Sequence, residues 1–275
     1  MPDAADLHEV DFANPPLNEV SFSIQFQTDV IDEVAALSVF LPKVRGEFPR
    51  LEKQPPVPPA SETFEIVPTA GPQLRLMAAP PTSRYWFMTD DQTKIIQVQS
   101  DRLMFNWRQV RGDETYPRYK KLLPEFVAII GKFLESLPGP AAPVAWVELQ
   151  YINAVPAVGD TPGTHGQLAR ILRHLVRDPS REYLPPVEDT QLQERFRITD
   201  ETGAPVGRLY VIAIPALNPQ TMQPMYLVTM LARGRPGQGE PPDCAVEFLD
   251  RAHDLIVHGF HEVTTDEMHK IWGEA

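Results

Sequence analysis

The strongest constraint on this chain is the order of its secondary-structure signals, which run through one series twice. Each half reads as strand, helix, several strands and a long helix, with the seam near Pro138–Pro143. That order predicts an α+β fold of two pseudo-repeated β-α-β(3-4)-α units, with mainly antiparallel sheets and helices on one face. The expected organisation is a flexible tail over 1–13, a first α+β unit over 14–140 and a second over 141–275, possible as one compact domain. With 275 residues, 43% of them hydrophobic, the chain can build either arrangement.

The clearest strand opens the first half, where Val20, Phe22, Ile24 and Phe26 alternate with Ser21, Ser23 and Gln25. That period of two marks a sheet with one buried face. A helix is expected over 30–41, ended by Pro42, and an extended surface segment over the proline-rich stretch Gln54–Pro59. Strands follow at 73–78, 84–89, 94–100 and 103–108, then a long helix over 117–137 that Pro124 either starts or kinks. The second half reads as a strand at 144–154, a helix at 165–177, strands at 190–198, 206–215 and 225–233, and a helix at 243–262. A short helix at 265–272 closes it, with Thr264 expected to cap it and Trp272 to anchor it. The chain's 30 prolines fall mainly between these elements.

Charge and cysteine content narrow the function classes. A formal net charge of −12 argues against a general nucleic-acid or anionic-membrane binder, since both need a cationic surface. One cysteine, Cys244, excludes an internal disulfide and a cysteine metal cluster, and it reads as a small core residue. No run approaches the ~18 apolar residues of a membrane span. The start Met-Pro-Asp-Ala-Ala-Asp has no apolar signal core, so the expected location is cytoplasmic.

Three groups of residues could carry chemistry. On the expected helix 165–177, Arg170, Arg173, His174 and Arg177 lie opposite the apolar arc. Arginine presents a fixed fork of donors, so this stripe suits an anion or an acidic partner surface, or it simply pairs with nearby carboxylates. On the terminal helix His258 and His261 stand at i, i+3 on the polar side, with Asp254 and Glu262 near; imidazole and carboxylate suit zinc, iron or nickel. His253 sits at the edge of the buried arc, and His269 follows after the break. Asn106, Glu148, Gln150, Tyr151 and Asn153 are polar residues on strands built for burial, placed to line a cleft between the halves or to face solvent. The loop Arg233–Glu240 lacks the lysine and hydroxyl of a phosphate loop, and no hydrolase elbow, zinc-helix or kinase signature is present. Nothing in the sequence requires a cofactor.

Two stretches, taken together, carry a resemblance. Asn14-Pro15-Pro16-Leu17-Asn18-Glu19-Val20 opens the first strand, and Leu249 to Val257, with Phe260, Thr264-Thr265, His269 and Trp272-Gly273, closes the chain. With Gln97–Arg102, Asn106 and Tyr151-Ile152-Asn153 between them, the chain resembles a sporadically distributed bacterial family of uncharacterised proteins of about this length. The resemblance implies a common fold and brings no activity or catalytic residue. Its patchy distribution implies accessory, defence, toxin–antitoxin or specialised biosynthetic roles.

The expected function is a non-catalytic binding or accessory protein that holds a small ligand or a protein partner between or on two similar halves. One alternative is a metal-assisted enzyme using the terminal-helix histidines. Another is an antitoxin-like acidic neutraliser of a basic partner. The sequence does not specify an oligomeric state.

Overall fold

The computed structural model describes residues 11–64, 83–157, 165, 168–175, 183 and 187–274. Strand pairing dominates it: nine strands form a single antiparallel sheet in the order β2-β3-β4-β5-β1-β6-β9-β8-β7. The strands are β1 (Leu17–Phe26), β2 (Arg50–Gln54), β3 (Arg84–Met88), β4 (Lys94–Gln99), β5 (Arg102–Arg108), β6 (Val144–Pro156), β7 (Leu192–Thr199), β8 (Pro205–Leu217) and β9 (Pro224–Gly234). The seam is the pair β1 and β6, in which Val20 faces Tyr151, Phe22 faces Leu149 and Ile24 faces Val147. The expected strand at 73–78 lies outside the described residues, and β2 had no counterpart in the sequence reading.

Alternation on β1 sends Val20, Phe22, Ile24 and Phe26 into the main core. Helix α3 (Tyr119–Leu134) covers them: Phe22 meets Tyr119 and Phe126 at ring-centroid distances of 5.8 and 5.5 Å, and Phe26 meets Phe133 at 6.0 Å. Helix α4 (Asp243–Val263) covers the neighbouring strands β6 and β9, burying Phe248, Leu249, Ala252, Ile256 and Phe260. It packs close because Gly259 brings no side chain; a Cβ there would sit 3.2 Å from Met230 Cε. Cys244 is buried at the start of α4, and Trp272 is buried near the end of α5 (Asp266–Trp272), both as expected.

The opposite face of the sheet is polar, yet much of it is also buried. Gln25, Gln97, Gln99, Arg102 and Asn106 are each at most 7% exposed. The cover is the proline-rich stretch after β2, extended as expected but pinned rather than free. Gln99 accepts from Val57 N–H at 2.8 Å and donates to Val57 O at 3.0 Å, and Gln25 holds Ala60 in the same two-way manner. Each glutamine amide thus completes backbone hydrogen bonds that proline-rich chain cannot make with itself.

Three local expectations need correction. The helix over 30–41 does not stop at Pro42. It runs as α1 (Glu33–Ala35), a π-helical turn (Ala36–Phe40) and α2 (Leu41–Val44), with Pro42 in the first turn of α2. The π turn moves the hydrogen-bond register, so the missing N–H of Pro42 interrupts nothing. The described part of 165–177 does not form the expected helix: it holds one 3₁₀ turn, Leu168–Arg170, and Leu172 then bridges to Thr264. Lastly, the cap of α5 is Thr265, which accepts from Met268 N–H, and not Thr264.

Candidate functional site

A cavity of about 250 Å³ opens where the two halves meet, beside the seam pair β1 and β6. From the first half, Leu17 on β1, Tyr116 and Arg118 just ahead of α3, and Tyr119 and Lys120 in its first turn line it; from the second come Tyr151 and Asn153 on β6 and His253, Ile256, Val257 and Phe260 on α4. Phe12, ahead of β1, closes one side.

The polar end of the cavity is a chain of three groups. Tyr116 and Tyr151 hydroxyls lie 3.0 Å apart, and the Tyr151 hydroxyl lies 3.0 Å from His253 Nδ1. Burial drives the imidazole of His253 down to about 4 and that of the Tyr116 phenol up to about 12, so both are neutral near pH 7. Burial likewise raises Tyr151. Each neutral hydroxyl has one hydrogen to give, so the chain runs in one of two directions. In one, Tyr116 donates to Tyr151, Tyr151 donates to His253, and His253 Nε2–H points onward as a donor. In the other every bond reverses, and Tyr116 becomes the free donor while Nε2 accepts. The same three residues therefore meet a donor or an acceptor at either end.

The stack around His253 holds this chain in place. Its ring lies flat on Tyr119 with centroids 4.0 Å apart, and Tyr119 donates to Asp250 at 2.9 Å. At the rim Arg118 adopts φ 75° and ψ 150°, a backbone region otherwise left to glycine, at a cost of about 1–3 kcal/mol. Its guanidinium is tied back to Asp11 at 2.6 Å and to Phe12 O at 3.3 Å. Lys120, also at the rim, has no ion-pair partner among the described residues.

The residues singled out from sequence divide between this cavity and other places. Tyr151 and Asn153 face it, Asn153 also donating to Val228 O at 3.1 Å. Asn106, Glu148 and Gln150 sit on the opposite face of the sheet. There Asn106 accepts from Gln97 and donates to Glu19, and Glu148 pairs with Arg233 at 2.7 Å. Arg170 and Arg173 do not lie on one helical stripe. Arg170 pairs with Glu267 at 2.6 Å, and Arg173 pairs with Asp266 at 3.0 Å and donates to Thr264 O at 2.7 Å, so both clamp the α4–α5 junction. His174 meets Glu194 at 3.2 Å, and Arg177 lies outside the described residues. His261 groups with His269 and Glu274, and His258 is not part of that trio.

A second cavity, about 350 Å³, lies between α1 and β4 and carries Asp29, Asp32, Glu33 and Tyr85. Most of its polar groups are engaged: Asp29 accepts from Ser100, Asp32 caps α1, and Gln99 holds the proline-rich segment, while the buried Tyr85 hydroxyl has no hydrogen-bond partner among the described residues. The seam cavity is the better candidate because residues from both halves line it and bring a connected hydroxyl–imidazole chain to one place.

Tyr116, Tyr119 and Phe12 were not singled out from sequence, and His253 was placed only at an edge. Tyr151 and His253 are 102 positions apart and Tyr119 and Asp250 are 131 apart, so no local spacing marks them. No family model matches the chain, and no curated protein matches it.

Proposed function

We propose that this is a non-catalytic binding protein of two pseudo-repeated α+β units, helices on one face, that holds a small ligand in the cavity at their seam. The observation that carries the reading is the shared lining: the hydroxyl–imidazole chain needs Tyr116 from one half and Tyr151 and His253 from the other. Strand order supports the repeat. In each half the first strand returns beside the last strand of a meander, β1 beside β5 and β6 beside β9, and a long helix follows. The resemblance to the sporadic bacterial family stands with this proposal. The opening and closing stretches that carry it lie side by side, Asn14 N–H donating to Trp272 O at 2.9 Å.

The ligand chemistry follows from the walls. Leu17, Ile256, Val257 and Phe260 offer an apolar bed, the tyrosine–histidine chain offers adaptable hydrogen bonds, and Lys120 offers positive charge at the rim. At about 250 Å³ the space suits a molecule smaller than most drugs. A small aromatic or aliphatic carboxylate meets these conditions.

Ligand-observed NMR with a set of such carboxylates tests the reading. Binding is expected to wild type, to weaken about five- to ten-fold in Tyr116→Phe, the worth of one hydrogen bond, and to vanish in Val257→Trp, which fills the space. Carboxylates that bind Val257→Trp as they bind wild type would place the site elsewhere.

A further inference from the structure

The junction of α4 and α5 lies behind the cavity wall, and nothing in the seam reading uses its histidines. His261 is in the last turn of α4, His269 is in α5, and Glu274 follows the left-handed turn at Gly273. One donor atom from each of the three lies within 4.8 Å of the others. The two imidazoles stack with centroids 4.3 Å apart, and one carboxylate reaches both: Glu274 Oε1 is 2.5 Å from His261 Nε2, and Oε2 is 3.4 Å from His269 Nδ1.

We propose that His261, His269 and Glu274 bind a divalent first-row transition metal ion of the zinc and iron class, leaving coordination positions open. Two imidazoles and one carboxylate are a donor set that such ions take with room for water or a further ligand.

The hydrogen positions are the main argument. Thr264 Oγ1 lies 2.6 Å from Phe260 O, a pure acceptor, so its only hydrogen goes there. Toward His269 Nε2, at 2.8 Å, the same oxygen must then accept, which puts the ring hydrogen on Nε2. A neutral His269 therefore aims the bare lone pair of Nδ1 at a carboxylate oxygen. Two electron-rich atoms face each other, and a cation between them resolves the conflict. A metal ion satisfies Nδ1, His261 Nε2 and the carboxylate at once, and the Thr264 hydroxyl becomes the outer hydrogen bond that orients a ligating histidine.

The backbone holds the third donor in place. Glu274 N–H donates to His269 O at 3.1 Å, and Glu274 bridges to Phe12. Gly273 turns the chain back with φ 69°, a conformation that suits glycine, and a Cβ there would press on Ala13 at 3.3 Å. The Phe12 ring lies 5.5 Å from His269 and 6.3 Å from His261, shielding one side of the trio from water.

The test is a titration of untagged, chelator-stripped full-length protein with Co²⁺ as a visible-absorption probe, followed by displacement with Zn²⁺. One saturable ion per chain is expected, with affinity reduced by about ten-fold or more in His261→Ala and in Glu274→Gln. His258→Ala is expected to bind as wild type does. Glu274 is 40% exposed, so its isosteric variant keeps the fold even if a His269 variant does not, and circular dichroism checks each protein. Absence of saturable Co²⁺ binding overturns the proposal, as does equal affinity in wild type, His261→Ala and Glu274→Gln.

Discussion

His253 shows how burial sets the behaviour of a single residue. Its ring is packed against Tyr119 and its Nδ1 is engaged by Tyr151, and burial lowers its affinity for a proton from the ordinary 6.5 to about 4, against the pull of Asp254 and Asp250. Above pH 6.5 the ring is neutral whether the chain is folded or not. Between 6.5 and 4 only the unfolded chain takes up the proton, so stability falls as the pH is lowered through that window and levels off below it. The loss is about 2 kcal/mol, less than the full shift implies because the ring is partly exposed. Urea midpoints at pH 7 and pH 4.5 measure it, and His253→Gln is expected to lose less stability between them than wild type does. An equal loss in both proteins would assign the acid sensitivity to other groups. Projection onto a helical wheel places His253 at the margin of the apolar arc; the tyrosines that determine its chemistry come from another helix and from a strand.

At the scale of elements, the instructive cases are those where a partner overrode a local pattern. Residues 165–177 have a helical apolar arc, yet Ile171, Leu172 and Arg173 pair through their backbones with Val263, Thr264 and Thr265, and an extended bridge replaces the helix. The Gln54–Pro59 stretch was legible as extended because proline forbids the alternatives. That it lies across the polar sheet face was not legible, since Gln25 and Gln99 look like solvent-facing strand residues. This gives a prediction: the double variant Gln25→Met, Gln99→Met releases Val57 and Ala60. Hydrogen exchange at those two amides is expected to accelerate about five-fold for each bond lost, taking about 1 kcal/mol per bond. Unchanged protection at both amides would show that something other than the glutamines holds the segment.

The nine strands among the described residues form one sheet, and the β1–β6 pair joins its two parts. Phe22 is fully buried at the β1–β6 pair and touches Phe105, Tyr119 and Phe126, while its strand neighbour Leu149 belongs to the other half. Neither half can expose this seam without losing the core of both. Hydrogen-exchange protection of β4 and β8, at the two sides of the sheet, is therefore expected to collapse in one transition. Phe22→Ala should shift both together by about 3–5 kcal/mol. Two separated transitions would mean that the halves are independent domains sharing a hydrogen-bonded edge. No helix among the described residues is long and apolar enough to cross a membrane.

What the sequence determined by itself was the type of most elements: the period-two run of β1, the apolar arc of α4, and the prolines marking the segments between. These are local signals, because side-chain direction repeats along one chain segment whatever that segment packs against. Tertiary structure alone decided that β1 pairs with β6, that the polar face is roofed, and that Tyr116, Tyr151 and His253 share one hydrogen-bonded chain. It also joined His261 to His269 and Glu274, where the helical spacing had suggested His258. The physical reason is the same in each case. A hydrogen bond or a coordination shell forms between groups brought together by folding, and their separation along the chain carries no trace of it.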